Sequence, residues 1–173
     1  IDGNNDFNPS TEKFNTTSST TILGYVTWDK EYLYVGFSGS TPAGNMTDST
    51  RAFHFYIDPD PQQNPLLGSG SSAGDAWLWN PTLPFTANYH YVFKTTGLQE
   101  VKRYYNGGSW QDAGFFTQNW KGSGYWEARI KLSDIGSPKQ INLLAYVEED
   151  WVGGTICGGI PENLFTNTTT QGA

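Results

Sequence analysis

Trp28-Asp29-Lys30-Glu31-Tyr32-Leu33-Tyr34-Val35-Gly36-Phe37 is the stretch from which the fold can be read. Leu33, Val35 and Phe37 alternate with Tyr34 and Gly36, the period of two that sends successive side chains to opposite sides of a pleated strand. The polar Asp29-Lys30-Glu31 ahead of them is a turn, so the stretch reads strand, turn, strand. A second stretch, Trp126-Glu127-Ala128-Arg129-Ile130-Lys131-Leu132-Ser133-Asp134-Ile135-Gly136, alternates in the same way through Leu132 and then breaks at a capped turn from Ser133 to Gly136. Working outward, strand-like runs recur about every ten residues, the spacing of a sandwich. They cover residues 22–28, 32–38, 52–57, 89–94, 100–105, 115–120, 125–131 and 141–148. No window holds a helical period for three turns, which leaves room for one helical turn around residues 133–135. The expectation is an all-β, antiparallel β-sandwich with jelly-roll or immunoglobulin-like layers, folded as a single domain over residues 1–173. Phe53, Phe55 and Ile57 share one face of their strand, and the apolar Leu143–Val147 run belongs inside its sheet.

At 173 residues the chain is long enough to bury a core without staples. Its net charge of -7 and lack of a basic run argue against a nucleic-acid partner. No apolar stretch approaches the ~20 residues that span a bilayer, so no membrane insertion is expected. The chain opens on Ile1 rather than Met, which suits a mature form or an excised domain. Thr/Asn-rich segments at 16–21 and from about 165 bracket the folded unit, the latter as a flexible tail. Cys157 has no partner for an internal disulfide and reads as a half-buried thiol. Three sequons make Asn15, Asn45 and Asn167 glycosylation candidates. With low charge and high aromatic content, they place the protein at the cell surface or outside the cell.

Two constellations carry chemistry. Ile57-Asp58-Pro59-Asp60-Pro61 puts two carboxylates at a stiff strand end, followed by the Gly/Ser-rich loop that leads to Asp75. Asp58, Asp60, Asp75 and loop carbonyls suit a hard cation such as calcium, which takes six to eight oxygens. A proline turn capped by its own aspartates explains the same residues without metal. Asp2, Asn4 and Asp6 have the spacing of a calcium loop but lack its later carboxylate and its helix. The second constellation is aromatic: seven Trp and ten Tyr. Pyranose C–H faces stack on such rings while acids and amides bond the hydroxyls. Trp77 and Trp79 flank Leu78, with their rings on one side of an extended segment. Trp110 follows the hairpin signal Asn106-Gly107-Gly108. Trp151 follows Glu148-Glu149-Asp150 at a strand end. Gly-x-Ser-x-Gly, His-Glu-x-x-His and Cys-x-x-Cys patterns are absent, which favours binding over catalysis.

Ile1-Asp2-Gly3, the Trp28–Phe37 stretch and the Trp126–Gly136 stretch together resemble the β-sandwich domains related to family 9 carbohydrate-binding modules and the DOMON group. The resemblance implies a non-catalytic sugar binder, with Trp28 and Trp126 in the core and structural calcium where a strand leaves the sheet. Such modules hold sugar between two Trp rings, which implies Trp77, Trp79 and Trp151 as ring donors. Asp75, Asn80, Glu149 and Arg51 are then the polar contacts, and the partner is a poly- or oligosaccharide. Attachment to further modules of a larger protein follows from the same resemblance. Some DOMON sandwiches carry haem through Met and His or Lys, which would engage Met46, read as an exposed loop residue, with His54 or His90. The rival reading is a structural subunit of an extracellular layer or filament, with identical subunits as partners through open strand edges.

Overall fold

The two alternating stretches become neighbouring antiparallel strands, with Leu33 opposite Ile130, Val35 opposite Ala128 and Phe37 opposite Trp126. The structure, a computed structural model, describes residues 1–16, 21–41, 44–47, 51–75, 79–149, 156–162 and 169–171, with backbone only at 41, 79, 80, 97 and 169–171. In chain order the strands are β1 (Lys13–Asn15), β2 (Leu23–Trp28), β3 (Tyr32–Ser38), β4 (Ser40–Thr41), β5 (Gly44–Asn45), β6 (Arg51–Asp58), β7 (Ser71–Ala73) and β8 (Trp79–Ala87). They continue with β9 (Tyr89–Lys94), β10 (Glu100–Tyr105), β11 (Trp110–Asp112), β12 (Thr117–Lys121), β13 (Tyr125–Lys131), β14 (Asn142–Glu149), β15 (Ile156–Ile160) and β16 (Thr169–Gln171). Short 3-10 turns cover Thr96–Leu98 and Leu132–Ile135, the second where a helical turn is expected. No helix among the described residues is long and apolar enough to cross a membrane.

The strands form a sandwich of a five-stranded sheet, β1-β2-β3-β13-β12, and a six-stranded sheet, β11-β10-β9-β6-β14-β15. Phe53, Phe55 and Ile57 of β6, Tyr91 and Phe93 of β9, and Ala145 and Val147 of β14 pack against Leu33, Val35, Phe37, Trp126, Ala128 and Ile130. At its centre Trp126 lies flat on Phe53, with ring centroids 4.0 Å apart and planes 7° from parallel. As expected, β14 is internal, held between β6 and β15.

A third layer covers the outer face of the six-stranded sheet. Strand β8, paired with β7 and β16, lays Leu83, Phe85 and Ala87 over Tyr56, Leu144 and Tyr146. Pro81 and Pro84 disguise β8 as a loop in the sequence, because proline interrupts strand ladders; here Pro84 is exposed while Leu83 and Phe85 point inward. Residues 169–171 of the expected tail pair with β8, and most of the remainder lies outside the described residues.

Two assignments are corrected. Trp28, expected in the core, is 70% exposed. It pairs with Leu33 on the core-facing side, but as the last residue of β2 it runs past the cover of the opposite sheet. Met46, read as an exposed loop residue, is fully buried in the main core.

Candidate functional site

Outward-facing residues of the six-stranded sheet build a buried polar chain beneath β8. His54 and Tyr56 of β6 stand opposite Val92 and His90 of β9 and opposite Tyr146 and Leu144 of β14. His90 stacks on Tyr56 at 4.0 Å and His54 on Tyr146 at 4.5 Å. The imidazoles meet at 3.1 Å between His54 Nδ1 and His90 Nε2. His90 Nδ1 lies 3.0 Å from Asp75 Oδ2, whose other oxygen accepts from an Arg103 guanidinium nitrogen at 2.7 Å. Arg103 Nε also donates to Asp112 at 3.2 Å. At the far end His54 Nε2 stands 3.0 Å from Glu148 Oε1, an ion-pair distance without the direction of a hydrogen bond. With Asp75 accepting, His90 donates from Nδ1 and its Nε2 accepts from His54 Nδ1–H, an arrangement that satisfies the links from Asp75 to His54 but gives His54 Nε2 no proton to donate to Glu148.

Burial holds His90 down to about 4, against the hydrogen bond it donates to Asp75, which favours its charged form. Burial also pushes the Asp75 carboxyl up, but His90 and Arg103 outweigh it and leave the group below the usual carboxylate range. His54 and His90 are completely buried. The His–Asp pair therefore acts as framework, locking β6, β9 and β14 to the loop ahead of β8. Met46 occupies the core between the sheets while both histidines face the other side of the six-stranded sheet, so they do not flank a common haem pocket.

The sugar-contact residues proposed from sequence fall into three groups. Asp75, Arg51 and Glu149 are buried; Arg51 lies 3.8 Å from Glu149 at the end of the inner face, and Asp75 belongs to the histidine chain. Trp79 and Asn80 start β8, where only backbone is described. Trp77 and Trp151 lie outside the described residues, as does Asn167. Asn15 and Asn45 are exposed, the latter accepting from Thr47 N at 2.8 Å. Asp58 is buried at the end of β6; its Oδ1 accepts from Asp60 N at 2.9 Å and its Oδ2 from Asn142 Nδ2 at 3.1 Å. Burial pushes its carboxyl up, and no cationic side chain pairs with it among the described residues. Asp58, Asp60 and Asp75 do not converge: no metal-sized group of three His, Cys, Asp or Glu occurs among the described residues. Cys157 is half-buried, and burial raises its thiol to about 11, far from a nucleophile's range.

Two solved structures are similar to this chain over 98% of its length. One is a family 9 carbohydrate-binding module from Caldicellulosiruptor kristjanssonii in complex with glucose, at a TM-score of 0.54 and 17% identity, with 85% of that chain covered. The other is a family 9 module from the same organism in complex with cellotriose, at 0.51 and 14%, with 83% covered. The fold is shared with family 9 carbohydrate-binding modules. No protein-family model and no curated protein sequence matches the chain.

Within this family 9 fold, sequence reasoning passed over the residues on the outer face of the five-stranded sheet. Trp120 of β12 is 51% exposed, Phe116 just ahead of the strand is exposed near Tyr32, and Arg129 lies 4.4 Å over the Tyr32 ring. Two clefts flank Ile1 there. One, of about 490 Å³, is lined by Asp2, Asp6, Glu12, Glu127, Thr27 and Tyr34; the other, of about 380 Å³, follows the edge at β12. In the sequence Trp120 falls beside a loop at the end of the run 115–120, and nothing in Gln118-Asn119-Trp120 tells which face of the strand its ring takes.

Proposed function

We propose that the domain binds carbohydrate and leaves it chemically unchanged, as a module acting on an extracellular poly- or oligosaccharide. The observation that carries this reading is the near-complete overlap with two modules whose structures hold glucose and cellotriose. In this reading Trp77, Trp79 and Trp151 supply rings that stack on the sugar and Asn80 bonds its hydroxyls. Asp75, Arg51 and Glu149, being buried, brace the segments that carry those rings rather than contacting sugar broadly. Affinity for a single unit is modest and gains from linkage to other modules. Calorimetric titration against glucose, cellotriose and other soluble glycans tests the reading. Trp77→Ala or Trp151→Ala is expected to weaken binding about tenfold or more. A folded wild-type protein that binds no glycan sinks it.

Calcium belongs to the same proposal, held by Asp58, Asp60 and neighbouring carbonyls. Its support is a buried, upward-shifted Asp58 carboxyl with another acid two residues on and, among the described residues, no cationic side chain paired with it. A bound divalent ion offsets that desolvation. Asp75 does not fit as a third ligand, because Arg103 and His90 already occupy both of its oxygens. Chelation is expected to lower Tm by about 5–10 °C, reversibly with calcium, at concentrations well above Kd. Asp58→Asn should abolish that difference. Equal melting with and without chelator removes calcium from the proposal.

A further inference from the structure

We propose that the edge of the five-stranded sheet at β12 is a second carbohydrate-contact surface, in which Trp120 stacks on an uncharged sugar chain and Gln118 and Glu100 bond its hydroxyls. The inference rests on the reading of the domain as a glycan binder, but its residues are unrelated to those implicated above. Asp75 and β8 lie on the far side of the six-stranded sheet, whereas Trp120 lies on the edge of the other sheet.

An exposed tryptophan alone signifies little. What distinguishes Trp120 is that its ring is held in place. A Cβ on Gly3 would lie 2.5 Å from Trp120 Cδ1 and 2.8 Å from Nε1, so the N-terminal turn packs directly on the pyrrole edge. That turn is itself clamped, because a Cβ on Gly122 would lie 2.1 Å from the Gly3 carbonyl oxygen. Asp2 N–H and Gly3 N–H donate at 2.6 and 2.8 Å to Oε1 of Glu127, a carboxylate only 2% exposed. The indole therefore needs little ordering when a ligand arrives, while half of its surface stays open.

The cleft beside it, about 380 Å³, is lined by Trp120, Gln118, Asn119, Glu100, Leu98 and Ile1. Gln118 projects from the same side of β12 as Trp120, about 7 Å along the strand, within reach of a sugar unit stacked on the ring. Asn119 Nδ2 donates to Glu100 Oε1 at 2.7 Å, and Glu100 Oε2 accepts from Thr117 Oγ1 and from Lys102 Nζ. Leu98 closes the far wall at φ +51°, a left-handed backbone that leucine rarely adopts, with its carbonyl accepting from Asn119 at 3.4 Å. The Gln118 amide, which can donate and accept, a Glu100 carboxylate fixed by Asn119, Thr117 and Lys102, and a flat apolar ring match the alternating C–H faces and hydroxyls of a neutral sugar. The Glu100 carboxylate and the net charge of -7 disfavour a phosphate backbone. The polar rim likewise disfavours a wholly apolar partner.

The test titrates the whole chain with cellotriose and longer soluble β-glucans, following affinity by calorimetry and each indole N–H by NMR. The wild type, Trp120→Ala, Trp120→Phe, Gln118→Ala and a Trp77→Ala/Trp151→Ala double variant are compared. The expected result is an indole shift at Trp120 on titration and about a tenfold loss of long-chain affinity in Trp120→Ala. Trp120→Phe should keep part of the affinity, and Gln118→Ala should lose affinity with an unchanged melting temperature. The double variant should retain weak binding that still moves the Trp120 signal. If wild type binds glycan but Trp120→Ala and Gln118→Ala bind equally well and the Trp120 signal stays still, the edge site is wrong while the glycan-binding reading stands. If wild type binds none of the glycans, both fall together.

Discussion

Trp126→Ala is expected to destabilise the fold by about 3–5 kcal/mol, the range for emptying a large aromatic from a packed core. Trp126 has no exposed surface and touches both sheets: it belongs to β13 and stacks on Phe53 of β6 at 4.0 Å, with Phe93 of β9 at 5.3 Å. Alanine would leave a void where the two sheets meet, and the rings around it cannot collapse without shifting whole strands. For a domain of this size the loss corresponds to a fall in Tm of about 10 °C. Trp126→Phe should cost much less, because the ring stack survives and the indole N–H has no acceptor among the described residues to lose. Urea unfolding of the three proteins measures both differences. A Trp126→Ala variant within about 1 kcal/mol of wild type would mean that the sheets do not pack as described.

Acid should weaken the protein well above the pH at which ordinary carboxylates protonate. His90 is surrounded by Asp75, Arg103 of β10, His54 and Tyr56 of β6, and Trp110 of β11, and it resists protonation until about 4 rather than its ordinary 6.5. Between those values the unfolded chain binds a proton that the folded chain does not. Stability is therefore full above 6.5, falls as pH is lowered toward about 4, and from this group falls no further below that. The interval corresponds to about 3 kcal/mol. Asp75, held below the carboxylate range, adds a loss of the same sign at still lower pH. Asp58, pushed up by burial, titrates with the opposite sign, so a comparison with His90→Gln isolates the histidine. Urea midpoints at several pH values from 7 to 4 should slope steeply for wild type and less steeply for His90→Gln. Parallel profiles would remove His90 as the cause.

The parts of the fold that were legible in the sequence share one property. Residues 32–38, 89–94, 100–105 and 125–131 are read at the same boundaries as β3, β9, β10 and β13, because each is bounded by turn residues, and in 32–38 and 125–131 the side chains also alternate. The hairpin at Asn106-Gly107-Gly108 joins β10 to β11 as its turn chemistry demands, with Tyr105 opposite Trp110. Strand β8 was missed because its prolines masked the alternation of Leu83, Phe85 and Ala87. Strand β15 is not legible because Gly158 and Gly159 lack the side chains whose alternation marks a strand, although both are buried against β14. The candidate site was less legible. Arg51, Glu149 and Asp75 look like exposed loop-end groups, yet the tertiary structure buries them as braces.

Face assignment is a local steric consequence of the pleat, and so the chain by itself determined a two-sheet β-sandwich with Phe53, Phe55, Ile57 and Trp126 facing inward. Exposure and partnership depend instead on which strands become neighbours and where each ends. The assembled sheets set that Trp28 runs past the cover of the opposite sheet, that Met46 enters the core and that a chain from Arg103 through Asp75, His90 and His54 reaches Glu148. Only the same packing brings Gly3 against Trp120 and holds that exposed ring in place. Those contacts join residues far apart in sequence, and their register is set by how the whole core packs rather than by any local pattern.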